Sequence, residues 1–355
     1  MIRRLTNACV SSVVVACAMA GAVGAGPAIA PPPAKVKVPM AAGSPYAAKQ
    51  PVLYMQIETI DQTKDPALKL SKGALEAARR RLESQLPRMK RFSLYTVFNK
   101  GAVSTVKELN DLGEVKDVDA SALPAPDLYL NATITFNLEK GELDGKQQKD
   151  SKYSMTEVMD YRSSMSWNLA DSKRKILTDV GEASGAIDVP VKRKFVGVRL
   201  NAQNEIEYQG MFNPTDPENQ DSLATEFADD LLQGLCAKLA LAVPLTADVT
   251  GLNPSGTKFG VKRGSAHGIF DGTKVVIWMK DPVVGAVALA LAVAEPAIDT
   301  AALTIIQWNE EDEDAGPVIK DLKSAPAKAA EMQLKATTVD IPFKEMLKPR
   351  PAQAG

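Results

Sequence analysis

One histidine, His267, supplies all the imidazole in this 355-residue chain, and it sits in a Gly-rich turn beside Gly268. A histidine-centred triad would therefore rest on a loop residue with no Ser–Asp arrangement near it, and a turn histidine is the better reading. Of the cysteines, Cys236 falls in the helical stretch 231–239, where a small buried thiol is the ordinary expectation. One Cys and one His in the mature chain cannot make a structural zinc site. No G-x-S-x-G, P-loop, H-E-x-x-H or strand-borne G-x-G-x-x-G occurs. The 43 acidic residues contain no spacing that singles out a carboxylate pair.

The remaining polar clusters each have a chemical reading and a plainer one. Glu310 to Asp314 form an acidic run that could attract a cation, but its place after a strand ending at Trp308 suits a solvated loop. The Asn- and Asp-rich stretch from Asn213 to Asp221 lacks EF-hand spacing and precedes a helix, where capping is expected. Arg79, Arg80 and Arg81 could hold a phosphate, yet they fall on the polar side of an amphipathic helix. Trp167, Trp278 and Trp308 all lie in expected strands, as core or interface residues rather than a sugar-stacking platform. No catalytic residue, metal ligand or cofactor is expected.

The elements that must carry these residues follow a leader. Arg3 and Arg4 precede an uncharged, small and apolar stretch from Ala8 to Ala25, the pattern of a secretory signal peptide. Its Ala, Gly and Val content makes a permanent membrane helix the weaker reading. Cleavage has two readings. Small-x-small sites at Ala18–Ala20 or Ala28–Ala30 would release a soluble product. Alternatively, Val14-Val15-Ala16-Cys17 resembles a bacterial lipobox, with Cys17 as the lipid anchor and the Gly/Ala/Pro-rich stretch that follows as a flexible tether. Exported, periplasmic or outer-membrane-associated localisation is expected either way. With 42 basic against 43 acidic residues, no charge excess points to nucleic acid, and 45% hydrophobic content is enough for a folded mature region.

Periodicity predicts an α+β chain. Val52 to Ile57 reads as a strand, and Leu75, Ala78, Leu82, Leu86 and Met89 mark a helix. Strands follow at Phe92 to Phe98 and Leu128 to Phe136, with a short helical piece at Ala102 to Leu112 between them. Glu139 to Lys152, charged and Gly-punctuated, is expected to face water. A hairpin is predicted from Arg162 to Leu169 and Ile176 to Glu182, with a second from Lys194 to Leu200 and Glu205 to Met211. Leu223, Phe227, Leu231, Leu235 and Leu239 define a long helix. Beyond Ala247, runs at 257–262, 273–280, 286–293 and 301–308 suggest a small β domain. The resulting division is a signal peptide at 1–30, a Pro/Ala-rich linker at 31–50, an α/β sandwich domain (a mixed sheet covered by helices) at 51–243, a small C-terminal β domain at 244–315 and a tail at 316–355.

This order of elements resembles the CsgG-like envelope proteins, which include the curli secretion channel subunit, lipoprotein activators of penicillin-binding proteins and certain flagellar ring proteins. The residues that carry the resemblance are the strand Val52 to Ile57, the helix ending in Arg91-Phe92, the strand opening Asp127 to Leu130, the stretch Trp167 to Leu177, the helix Ser222 to Leu241 and the Gly-rich stretch Lys262 to Val275. The resemblance implies a non-enzymatic cell-envelope assembly or accessory protein that binds other envelope proteins or itself. The polar Glu139 to Tyr153 departs from the lipid-facing hairpins a channel subunit needs, so no pore is expected. A periplasmic carbohydrate- or peptidoglycan-binding protein is the alternative, to be recognised by Trp or Tyr side chains aligned on an exposed face. A carboxylate-dependent hydrolase would instead show two buried, convergent carboxylates.

Overall fold

The computed structural model describes residues 36–96, 125–146, 154–203, 205–209 and 212–348. The leader with Cys17, and the helical piece expected at Ala102 to Leu112, lie outside the described residues. What is described is a mixed α+β fold with two sheets.

The first sheet runs in the order β2-β1-β3-β4-β5-β6. It is built from β1 (Val52–Asp61), β2 (Ser93–Thr96), β3 (Leu128–Lys146), β4 (Ser154–Asp171), β5 (Ser184–Leu200) and β6 (Ile206–Gln209). β1 pairs in parallel with β2 and β3, and the rest of the sheet is antiparallel. Alternation explains which face packs. Leu53, Met55 and Ile57 are buried together with Leu128, Leu130, Ala132, Ile134 and Phe136, while their neighbours along each strand point the other way.

Two helices cover that apolar face. α1 (Lys72–Gln85) is capped by Ser71, whose Oγ accepts from Ala74 N at 3.1 Å, and it buries Ala74, Ala78 and Leu82. α2 (Pro217–Ala242) starts at Asp216, whose side chain accepts from Glu218 N, and it buries Leu223, Phe227, Leu231, Leu235 and Leu239. A Cβ at Gly234 would meet Ile187 Cγ2 at 2.7 Å, so glycine is what lets α2 approach β5 closely.

The second sheet is a closed barrel in the order β10-β11-β8-β7-β12-β9. Its strands are β7 (Thr246–Leu252), β8 (Lys258–Val261), β9 (Lys274–Asp281), β10 (Gly285–Pro296), β11 (Ala301–Trp308) and β12 (Lys335–Thr338), and α3 (Ala315–Ser324) packs against it. A short terminal helix, α4 (Phe343–Leu347), ends the described chain. The interior is narrow and is filled by Ala290, Ala292, Ala294, Leu289, Ile277 and Leu303, all buried.

Several sequence expectations are corrected here. The supposed tail from 316 contributes α3 and the closing strand β12, which pairs with both β7 and β9. Part of the expected linker is also built in: Ala41, Ala42 and Ala47 are buried, and Val36 and Val38 pack on the outside of the barrel against Trp278 and Ala288. The stretch expected to face water at Glu139 to Lys152 carries β3 as far as Lys146, which pairs with Ser154, and Glu139 and Lys140 at its start are exposed. Finally, the partner of β4 is not Ile176 to Glu182 but β5 from Ser184. Ile176 makes only an isolated bridge to Ala170, because the turn at 171–175 leads into a second irregular stretch before the strand resumes.

Candidate interaction face

The helices cover one face of the six-stranded sheet, and no described element covers the other. Strand alternation places Tyr54 of β1 and Tyr129 of β3 side by side on this open face, since the two residues pair in register. Their rings lie 5.2 Å apart at an interplanar angle of 56°. Arg174 stacks over Tyr129 with its guanidinium carbon 3.5 Å from the ring centroid, and it is 5.7 Å from that of Tyr54. Next along the face, Asn131 Nδ2 donates to Asn168 Oδ1 at 3.0 Å. Half-buried Thr133 and Thr135 and the small Ser164 and Ser166 continue the surface. The face is therefore flat and rich in hydrogen-bonding groups, with one aromatic and cationic cluster near its upper edge.

The turn that presents Arg174 is held by Asp171. Its Oδ1 accepts from Lys173 N at 2.8 Å and from Lys175 N at 2.9 Å, while Arg174 N donates to Asp171 O. Arg174 itself has φ of 64°, left-handed backbone that a β-carbon disfavours. The turn thus accepts local strain while it holds the guanidinium over the tyrosines.

On the helix side, β4 buries an unusual polar group. Glu157, Tyr161 and Ser163 are at most 4% exposed, and Glu157 Oε2, Tyr161 Oη and Ser163 Oγ have no hydrogen-bond partner among the described residues. Burial raises the Glu157 carboxyl, opposed by the charge of Lys140. Burial likewise raises the Tyr161 and Tyr208 hydroxyls. Lys140 forms an ion pair with Asp65 at 2.9 Å. Both partners are about one-third exposed, so Glu157 is the one buried carboxylate of this group.

The other residues singled out from the sequence take structural places. His267 ends a 3-10 turn, where its Nδ1 accepts from Gly264 N at 3.4 Å. Cys236 is fully buried in α2, and burial pushes its thiol far up. Arg79 pairs with Glu76 and Glu83, Arg80 through its Nε with Glu76, and Arg81 with both oxygens of Asp229, so each of the three guanidinium groups has a carboxylate partner within the fold. Glu310 pairs with Lys323, and Asp312 Oδ1 accepts from Ala315 N at the start of α3. No group of three or more metal-ligating side chains occurs among the described residues. Trp167 is buried on the helix side. Trp278 donates to Thr337 Oγ1 at 2.8 Å, and Trp308 meets Phe259 edge-on, so no tryptophan forms a platform. A separate open cleft of about 420 Å³ lies between Val36–Met40 and the barrel at Ala286–Ala288, with Asp312 and Asp314 on its rim.

Sequence reasoning missed the Tyr54, Tyr129 and Arg174 cluster. The signal was present, because the alternation in Val52 to Ile57 and in Leu128 to Phe136 sets both tyrosines opposite the apolar positions. Only the parallel register makes them neighbours.

No family model matches this chain, and no curated protein matches it. Among solved structures it is similar to a neuraminyllactose-binding hemagglutinin homolog from Helicobacter pylori, at 12% identity and a TM-score of 0.28 over 52% of this chain and 88% of that one. It is also similar to the PelC dodecamer from Paraburkholderia phytofirmans, at 10% identity and a TM-score of 0.22 over 53% of this chain and 89% of that one. Likenesses at these scores carry no argument about function.

Proposed function

We propose that this chain is a non-enzymatic cell-envelope assembly or accessory protein, built on the CsgG-like plan of a helix-covered α/β sheet followed by a β module. It acts by binding other envelope proteins and copies of itself. In this reading the chain is exported to the periplasm or the outer membrane, with Cys17 as a lipid anchor if the lipobox is used.

The observation that supports it is the sheet face that no described element covers. A sheet face of this breadth, with Tyr54, Tyr129 and Arg174 clustered at one end, offers the aromatic and arginine anchors that recur in protein interfaces. Asn131, Asn168 and the Ser/Thr rows around them supply hydrogen-bonding groups.

A photo-crosslinking side chain placed at Ser166, tested in the intact envelope, is expected to capture a protein, and Tyr129→Ser together with Arg174→Glu is expected to abolish the capture. A folded protein that yields no crosslink from this face would overturn the reading. The carbohydrate alternative draws its support from the Tyr54–Tyr129 pair. It predicts that soluble cell-wall glycans quench the fluorescence of these tyrosines and that Tyr129→Ser removes the effect, while protein capture stays unchanged.

A further inference from the structure

β5 is paired with β4 along nearly its whole length, from Ser184 against Asn168 to Val198 against Met155. On its other side β6 covers only Gly197 to Leu200. Residues 185–196 therefore form a long strand edge with no strand on it among the described residues, and most of them are exposed, Phe195 at 70% and Val191 at 43%. An open edge of this length is a template for another strand.

We infer that this edge pairs antiparallel with the same edge of a second copy, joining two sheets across a two-fold axis. This rests on the protein–protein reading above and names one partner for it. Three observations select the second copy. First, the free run is bounded at one end by the start of β5 and at the other by β6, so a strand entering antiparallel leaves the ladder where β6 begins. Second, the edge is complementary to itself in charge, with Asp188 in its first half and Arg193 in its second. The register that sets Pro190 beside Val191 of the second copy brings Asp188 opposite Arg193 and exposed Phe195 opposite the small Ala186.

Third, the bulge permits that register. Asp188 and Arg193 are five positions apart, which in a regular strand would put them on opposite faces. The register shift between Tyr161 and Ser163 lets β5 carry an extra residue around Pro190–Val191, so that Asp188 aligns with Ser164 and Arg193 with Asp160, all on the open face.

The edge also carries features that guard against indiscriminate pairing. Pro190 lacks an N–H, but it sits at the two-fold axis, where it removes bonds only from the central pair. Lys192 is neutralised by Glu226 and Asp230, both at 2.7 Å, and Lys194 lies 3.7 Å from Glu226. Arg193 has Asp160 at 3.2 Å on its own sheet, and Asp188 has no ion-pair partner among the described residues, which leaves it available to the second copy. Together these features admit a strand of complementary charge pattern and disfavour a generic one.

Sedimentation equilibrium of the purified full chain tests the inference. A reversible dimer is expected. Asp188→Arg and Arg193→Asp should each weaken it about ten-fold or more, and the double reversal should recover most of the loss. Phe195→Asp should leave a monomer with an unchanged circular dichroism spectrum. A wild-type chain that stays monomeric at every concentration, or an oligomer indifferent to Asp188→Arg and Phe195→Asp, would overturn it. Because sedimentation reads self-pairing alone, a failure here is distinguishable from a failure of the envelope crosslinking described above.

Discussion

The two sheets of this protein solve the same problem in opposite ways. In the barrel, β12 pairs with β7 on one side and β9 on the other, which closes the ring. Its apolar side chains turn inward, and Val36 and Val38 cover part of its outer wall. Among the described residues, the six-stranded sheet has one face that no element covers and one long edge that no strand pairs. Closure favours stability, whereas openness leaves backbone and side-chain groups available to another molecule. Buried Arg91 joins the two sheets: its Nη1 donates to Oγ1 of Thr338, the last residue of β12, at 2.7 Å.

The largest test of this contrast is to undo the closure. Ending the chain after Leu334 removes β12, strips β7 and β9 of a shared neighbour and leaves the Arg91 guanidinium buried without Thr338. The expected loss is comparable to the whole folding free energy of a domain, about 5–15 kcal/mol, read as a collapse of the cooperative urea transition. A truncated chain that still melts cooperatively near the wild-type midpoint would mean that the barrel does not depend on its closing strand.

A smaller effect is expected beneath the open sheet. Glu157 faces Lys140, Asp65, Tyr161 and Tyr208, and its carboxyl is raised above the ordinary 4.5. The folded state therefore holds this proton more tightly than the unfolded state, so its contribution to stability is present at low pH and is lost as pH rises through the folded value. Glu157→Gln should raise the melting temperature at neutral pH and flatten the dependence above about 4.5, by an amount on the order of 1 kcal/mol. Melting curves across pH check this. An unchanged pH profile would show that the buried carboxyl is satisfied by another group.

The smallest effect belongs to the open face itself. Arg174→Gly relieves left-handed strain of roughly 1 kcal/mol while losing a cation–π contact of about 0.5–1 kcal/mol, so stability should barely change. Arg174→Ala loses the contact and keeps the strain, and should cost about 0.5–1 kcal/mol. If both variants fall equally in urea denaturation, the strain at this turn is not what distinguishes it.

Where repeating periodicity governed an element, the sequence was legible. The four-residue apolar spacing from Leu223 through Phe227 to Leu239 lies within α2, and the runs at 257–262, 273–280, 286–293 and 301–308 match β8 to β11. The misreadings have local causes. β3 continues through Glu139 to Lys146 although the composition there is that of a loop, because pairing with β4 satisfies its backbone regardless of side-chain polarity. β12 is only four residues long and is followed by Val339 and Pro342, so nothing in its composition separates it from a tail.

By itself, then, the sequence determined which apolar positions of the long helix and of β8 to β11 repeat, although α2 begins at Pro217, inside the Asn- and Asp-rich stretch expected to precede it. Those repeats depend on periodicity, which is local. The tertiary structure alone decided that Tyr54, Tyr129 and Arg174 meet, that Val275 to Trp278 and Thr246 to Asp248 share β12 as a neighbour, and that no described strand pairs with β5 along residues 185–196 on the side away from β4. These are facts of strand register and pairing order between segments distant in sequence, and a one-residue slip would have sent each side chain to the other face.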